Sequence, residues 1–291
     1  MSGQEITLKA KDGGSFMGYL AKPASGRGPG MVVIQEIFGV NAVMRGITDR
    51  FAETGYLALC PDLFWRQEPR IHLTDRTDAE WARAFELFKG FNLDKGVADL
   101  DATIEALRKM PGCLSKVGTV GFCLGGRLAY LTATRTKANA AVGYYGVYLT
   151  EHLNEVIRCP VMLHVAGADE FVPPEAQKQL HAALDRHTKA TLYDYPGLGH
   201  AFAREGGKHW DASAAKTAFQ TMRSIRPVRK AAQSFTCRPE PVTWAQGLRA
   251  AFSSSIGSLP ATRKVVASTR WIRRSGSSNS SAISPTSSSR R

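Results

Sequence analysis

The sequence predicts an α/β fold built on a mostly parallel central sheet with helices on both faces. Two patterns carry that expectation. Short apolar runs alternate with longer segments whose apolar residues recur at helical spacing, and the connections between them are short. Several runs are apolar at successive positions, as a strand buried on both faces requires. A third observation is Gly121-Phe122-Cys123-Leu124-Gly125 directly after such a run, the form of a strand-to-helix turn that presents a nucleophile.

Taken in order, Glu5 to Lys22 alternates around Lys11-Asp12-Gly13-Gly14, which predicts an antiparallel hairpin on a sheet edge. Met31 to Ile34 is a buried strand, with Glu36 at its carboxyl end. Asn41 caps a helix carrying Val43, Met44, Ile47 and Phe51, and GYLALCPDLF supplies the next strand. Asp78 to Met110 holds two helices, the second with Val97, Leu100, Ile104 and Leu107 on one face and closed by Pro111 and Gly112. KVGTVGF is a strand, GRLAYLTATR a helix, AAVGYYG and CPVMLHVAG strands, Glu175 to His187 a helix and ATLYDYP the last strand. Gly207 to Met222 is predicted as a closing amphipathic helix through Trp210, Ala214, Ala218 and Phe219. Ligands of such a sheet bind outside the carboxyl ends of its strands, so reactive residues are expected to collect there.

The chain has 291 residues and a formal charge of +13, which suggests a nucleic-acid partner until it is divided along the sequence. Residues 223–291 hold thirteen Lys or Arg and one acid, so they carry +12 and leave residues 1–222 at +1. The expected organisation is therefore a catalytic domain over 1–222 and a basic Ser/Arg-rich tail over 223–291, too poor in apolar residues to offset its ordering entropy. Five cysteines without CxxC or CxxH spacing suit free thiols better than a disulfide frame or zinc site. The N-terminal residues lack a signal-peptide layout and no apolar run has membrane-spanning length, so the expectations are a cytoplasmic monomer with no metal or cofactor and no nucleic-acid partner for the catalytic domain.

Three residues fit nucleophilic catalysis. Cys123 occupies the turn, and Asp169 and His200 each follow a predicted strand, in the chain order nucleophile, acid, histidine. A thiolate attacks a carbonyl, an imidazole moves protons near neutral pH, and a carboxylate fixes the imidazole tautomer. The helix after Cys123 adds its positive end, and the N–H groups of Leu124 and Ile37 are the expected oxyanion donors. Singly, each residue has a plain structural reading: Cys123 as a packed thiol, Asp169 as an Asx-turn, His200 as a packed loop histidine, Glu36 as a helix-capping carboxylate, Arg204 as a solvated charge. His164 and His181, inside a predicted strand and helix, are expected to pack or be solvated.

QEIFGVN, GFCLGG, GYYGV, DEFVP and GHAFAR, in this order across residues 1–222, closely resemble the dienelactone hydrolase family, an α/β-hydrolase group with a cysteine nucleophile. The resemblance implies a carboxymethylenebutenolidase-like carboxylic-ester hydrolase whose triad is Cys123, His200 and Asp169. It further implies that Glu36 lies beside the thiol and takes its proton when substrate arrives. A carboxylate so placed opposes ionisation of the sulfur until ligand binding moves or protonates it.

A thiolate leaves more readily than an alkoxide, so a thiol nucleophile suits enol lactones and activated esters, which agrees with the butenolide lactones the resemblance implies. In that family two arginines grip the substrate carboxylate. Arg204 matches one, whereas Trp81 stands at the other position, Phe85 replaces a tyrosine and Ala201 a serine, with Arg83 on another helical face. A more apolar mouth and a larger or less anionic substrate are expected. The alternative is a non-catalytic protein on a hydrolase scaffold whose basic tail contacts nucleic acid or anionic membrane. A frameshift or late divergence near Arg223 is a further reading of the tail.

Overall fold

A computed structural model describes residues 3–224 of the chain. Its elements are β1 (Gln4–Lys9), β2 (Ser15–Ala21), β3 (Gly28–Ile34), α1 (Ala42–Glu53), β4 (Leu57–Pro61), α2 (Asp78–Lys89), α3 (Leu93–Lys109), β5 (Cys113–Phe122), α4 (Leu124–Arg135), β6 (Ala140–Tyr144), β7 (Val161–Ala166), α5 (Pro174–Leu184), β8 (Ala190–Tyr195) and α6 (Ala212–Met222). The eight strands form one sheet in the order β1-β2-β4-β3-β5-β6-β7-β8. Only the β1–β2 and β2–β4 pairs are antiparallel; β4 to β8 run parallel. This is the α/β-hydrolase architecture that the sequence predicts, with the hairpin on its edge.

Strand periodicity divides the core into two layers. Val32 and Ile34 of β3 point to one face with Leu57 and Leu59 of β4, while Met31 and Val33 point to the other with Ala58 and Cys60. The first layer packs Leu100, Ile104 and Leu107 of α3 and Leu128 and Leu131 of α4; the second packs Phe51 of α1 and Ala218 and Met222 of α6. Both faces being covered explains why these strands are continuous apolar runs.

The last helix differs from expectation. It begins at Ala212 rather than near Gly207, because the Asp211 carboxylate accepts the N–H of Ala214 at 2.8 Å and caps it there. Gly206, with φ of +76°, sits in the turn that precedes it, and Trp210 is left on a loop, 43% exposed, instead of on the helix's apolar stripe. The expected tail lies outside the described residues except for Arg223 and Ser224. Among the described residues no helix is long and apolar enough to cross a membrane, and no cluster of side chains could hold a metal ion.

Candidate active site

β5 delivers Cys123 to the carboxyl edge of the sheet, and α4 starts at the next residue. Cys123 has φ of +56° and ψ of −116°, a sparsely populated conformation for a residue with a Cβ. Its N–H donates to Tyr144 O at 3.1 Å and its carbonyl accepts from Gly126 N at 2.9 Å, so the turn is tied to β6 and to the helix it opens. The flanking glycines are steric requirements. A Cβ on Gly121 would lie 1.8 Å from Gly125 O, and one on Gly125 would lie 2.4 Å from Ile34 O. The two glycines thus let α4 begin against the end of β3. Neither the N–H of Leu124, first in the helix, nor that of Ile37 donates to a loop, turn or cap carbonyl among the described residues.

The loop after β7 places Asp169, and the loop after β8 places His200, both buried. His200 Nδ1 meets Asp169 Oδ2 at 2.8 Å and Oδ1 at 3.0 Å. Asp169 Oδ1 also accepts from Phe171 N at 2.9 Å, so the Asx-turn and the histidine contact coexist in one carboxylate. The ring of His200 packs edge-on against Tyr145 at 5.1 Å and Phe171 at 4.8 Å. Burial works against a charged imidazole, but the nearby Cys123 sulfur and the Asp169 carboxylate outweigh it, and the pKa of His200 is raised. The structure thus pairs His200 with Asp169 and places Cys123 on the wall of the same pocket as His200.

Glu36 and Arg204 meet across 168 residues of sequence. Arg204 Nη1 donates to Glu36 Oε2 at 3.1 Å, and both side chains are buried. Glu36 does not cap the helix behind it, since Asn41 accepts the N–H of Met44 itself. Its Oε1 is buried without a hydrogen-bond partner, as is the hydroxyl of Tyr145. Arg204 is a buried ion-paired group rather than a solvated charge: Nη2 also reaches Asp75 Oδ2 at 3.0 Å, and its plane lies 5.2 Å from the centre of the Phe38 ring.

These groups open into a pocket enclosing about 470 Å³ of empty space, part of it continuous with solvent, which Glu36, Cys123, His200, Arg204 and Ile37 line on the inner side. The outer wall is aromatic. Trp81, Phe85 and Phe88 occupy one face of α2, with Trp81 and Phe85 stacked at 5.6 Å, and Phe171 and Tyr148 stand opposite. Arg83 points away and pairs with Glu86 and Glu68. His164 packs inside the sheet layer, stacked on Tyr144 at 4.3 Å, and His181 bridges Asp185 and Asp194 on the surface. Neither reaches the pocket.

Sequence reasoning missed Phe88, Phe171 and Tyr148 as pocket residues and Asp75 as the second carboxylate on Arg204. Phe88 was within reach, because positions 81, 85 and 88 share a helix face. Phe171 lies two residues beyond Asp169 and follows it into the loop. Asp75 and Tyr148 sit in irregular segments where no periodicity marks a side chain's direction.

Comparison with known proteins places these features in a family context. Residues 16–225 match the dienelactone hydrolase family. A protein of Azospirillum brasilense described as "Putative carboxymethylenebutenolidase" is 46% identical over 218 residues, covering 74% of this chain and 94% of the relative. The carboxymethylenebutenolidase of Pseudomonas putida is 38% identical over 215 residues, covering 73% and 91%. A crystal structure of a "Putative Dienelactone Hydrolase" from Klebsiella pneumoniae superposes with a TM-score of 0.68 at 26% identity, covering 77% of this chain and 97% of that one.

Proposed function

The chain belongs to the dienelactone hydrolase family, and from that premise we propose that it hydrolyses an activated ester or enol lactone through a thioester on Cys123. The observation that carries this reading is the Asp169–His200 pair set beside Cys123 on the wall of one apolar pocket. The relatives named as carboxymethylenebutenolidases support the substrate class, a small lactone.

In this mechanism the sulfur of Cys123 attacks the carbonyl carbon, and the oxygen that becomes negative is received by the N–H groups of Ile37 and Leu124 at the positive end of α4. The adduct collapses when the departing oxygen is a stabilised enolate or phenolate, because a poorer leaving group would return the thiolate instead. His200, oriented by Asp169, protonates the leaving group and then draws a proton from the water that cleaves the thioester. Glu36 is the proposed acceptor for the thiol proton: its Oε2 is held by Arg204, and its Oε1 has no hydrogen-bond partner. Trp81 and Phe85 are assigned to binding the apolar part of the substrate, and Arg204 to the inner, polar part.

Turnover of an enol lactone and of a p-nitrophenyl ester by Cys123→Ala tests the assignment. Loss of roughly 10³-fold or more in kcat/KM is expected for removal of a nucleophile. Undiminished turnover would refute it.

A further inference from the structure

We propose that Asp75 is a specificity-determining residue: it clamps Arg204 against Glu36, so that the pocket takes uncharged esters and lactones in preference to ones carrying a carboxylate. The inference rests on the hydrolase reading above and names the substrate class for that same site.

Arg204 is the inner cation of the pocket: each of its two Nη atoms lies within ion-pair distance of a carboxylate, and Nε has no hydrogen-bond partner. Nη1 is 3.1 Å from Glu36 Oε2 and Nη2 is 3.0 Å from Asp75 Oδ2. Nε is buried and faces the backbone of Gly207, where a Cβ would come within 2.8 Å of it. The guanidinium plane rests on the Phe38 ring. Two carboxylates around one guanidinium leave the group with a formal charge of −1. Its side chains are 4% exposed at Glu36, 10% at Arg204 and 20% at Asp75, so solvent screens that charge poorly.

Asp75 is fixed in place. The indole N–H of Trp81 donates to the Asp75 carbonyl at 3.1 Å, so the residue that stands at the second arginine position also braces the loop that carries the clamp. On one side of Asp75, Leu73 N donates to Phe38 O and Asn41 Nδ2 donates to Leu73 O, both at 2.9 Å; Thr74 donates through N and Oγ1 to Glu80. The loop is therefore anchored to the rim of the pocket and to α2.

No second arginine or lysine lines the pocket among the described residues, and the His200 ring is already paired with Asp169. Arg83 is held by two glutamates away from the pocket, and Arg127 pairs with Glu151 behind the Tyr148 ring. A carboxylate-bearing substrate must displace Glu36 or Asp75 from the guanidinium or become a third anion around it; where only Glu36 moves, Asp75 stays as a like charge beside the incoming carboxylate, which is unfavourable. An uncharged acyl or aryl group meets no such opposition and stacks on Trp81, Phe85 and Phe171.

The test uses the full chain and a pair of substrates with the same leaving group, p-nitrophenyl hydrogen adipate and p-nitrophenyl methyl adipate, which differ by a methyl cap on the far carboxylate. Wild type is expected to favour the methyl-capped ester by about tenfold or more in kcat/KM. Asp75→Asn is expected to move the anionic-to-neutral ratio about tenfold toward the anion, and Asp75→Glu to keep it within about twofold of wild type. A wild type without preference, or a shift under about twofold in Asp75→Asn, overturns the assignment. Binding of benzoate against benzamide, followed by ligand-observed NMR, measures the same selectivity without turnover: the benzoate-to-benzamide affinity ratio should rise in Asp75→Asn, and an unchanged ratio overturns the clamp. If wild type hydrolyses neither ester, the hydrolase reading fails and the binding arm still decides Asp75.

Discussion

Asp169 presents both carboxylate oxygens to a single ring nitrogen of His200, at 2.8 and 3.0 Å. Two acceptors on Nδ1 keep the proton there and leave Nε2 for Cys123, so the tautomer is decided by residues on two different loops. Asp169→Asn keeps the size of the side chain and its turn to Phe171, but it can offer an N–H to the ring and stabilise the wrong tautomer. The expected outcome is a fall in kcat of about 10²- to 10⁴-fold with unfolding free energy changed far less than activity. Steady-state kinetics alongside urea unfolding measures both quantities, and an unaffected kcat would remove Asp169 from the proposed triad.

The Gly125 position gives a second, purely steric prediction. Its missing Cβ is where α4 meets the carbonyl of Ile34, with only 2.4 Å available for an added carbon, and that atom is backbone rather than a side chain that can rotate away. Gly125→Ala must push the start of α4 off β3, moving Cys123 and the Leu124 N–H together. We expect a loss of roughly 10²-fold or more in activity, by analogy with the sensitivity of reacting geometry to shifts of about 1 Å, and destabilisation of about 1–3 kcal/mol for overpacking. A variant with wild-type kcat and stability would show that the elbow tolerates displacement.

How much of this site could be read without coordinates follows from where its residues lie. Cys123, Asp169 and His200 were legible because each follows an apolar strand run, and a parallel sheet brings the ends of such runs to one edge. Gly121 and Gly125 were legible as a frame around the thiol. The Glu36–Arg204 pair was not, because a buried ion pair between loops 168 residues apart depends on how two irregular segments cross, which no local pattern encodes. Asp75 was invisible for the same reason. The late start of α6 shows a further limit: the apolar spacing through Trp210 satisfied a helix, but the Asp211 cap ended that register and put the indole on a loop.

His164 supplies a test of the core that is independent of the active site. It is buried within the sheet layer, stacked between Tyr144 and Tyr193, with Nδ1 at 2.9 Å from the Tyr195 hydroxyl and Nε2 without a partner. Burial disfavours the charged ring and lowers its pKa from 6.5 to about 3. The folded ring therefore stays neutral while the unfolded one takes a proton below about pH 6.5. The contribution to stability is complete above that pH and is lost as pH falls toward 3, with a slope of at most about 1.4 kcal/mol per pH unit. His164→Phe keeps the stacking and removes the titration. Urea unfolding at pH 7.5 and 4.5 should show wild type losing more stability than the variant, by roughly 2 kcal/mol once the shared carboxylate effects cancel in the difference. Parallel losses in the two proteins would mean that the ring takes up its proton in the folded state at the ordinary pH, and that this part of the core admits water.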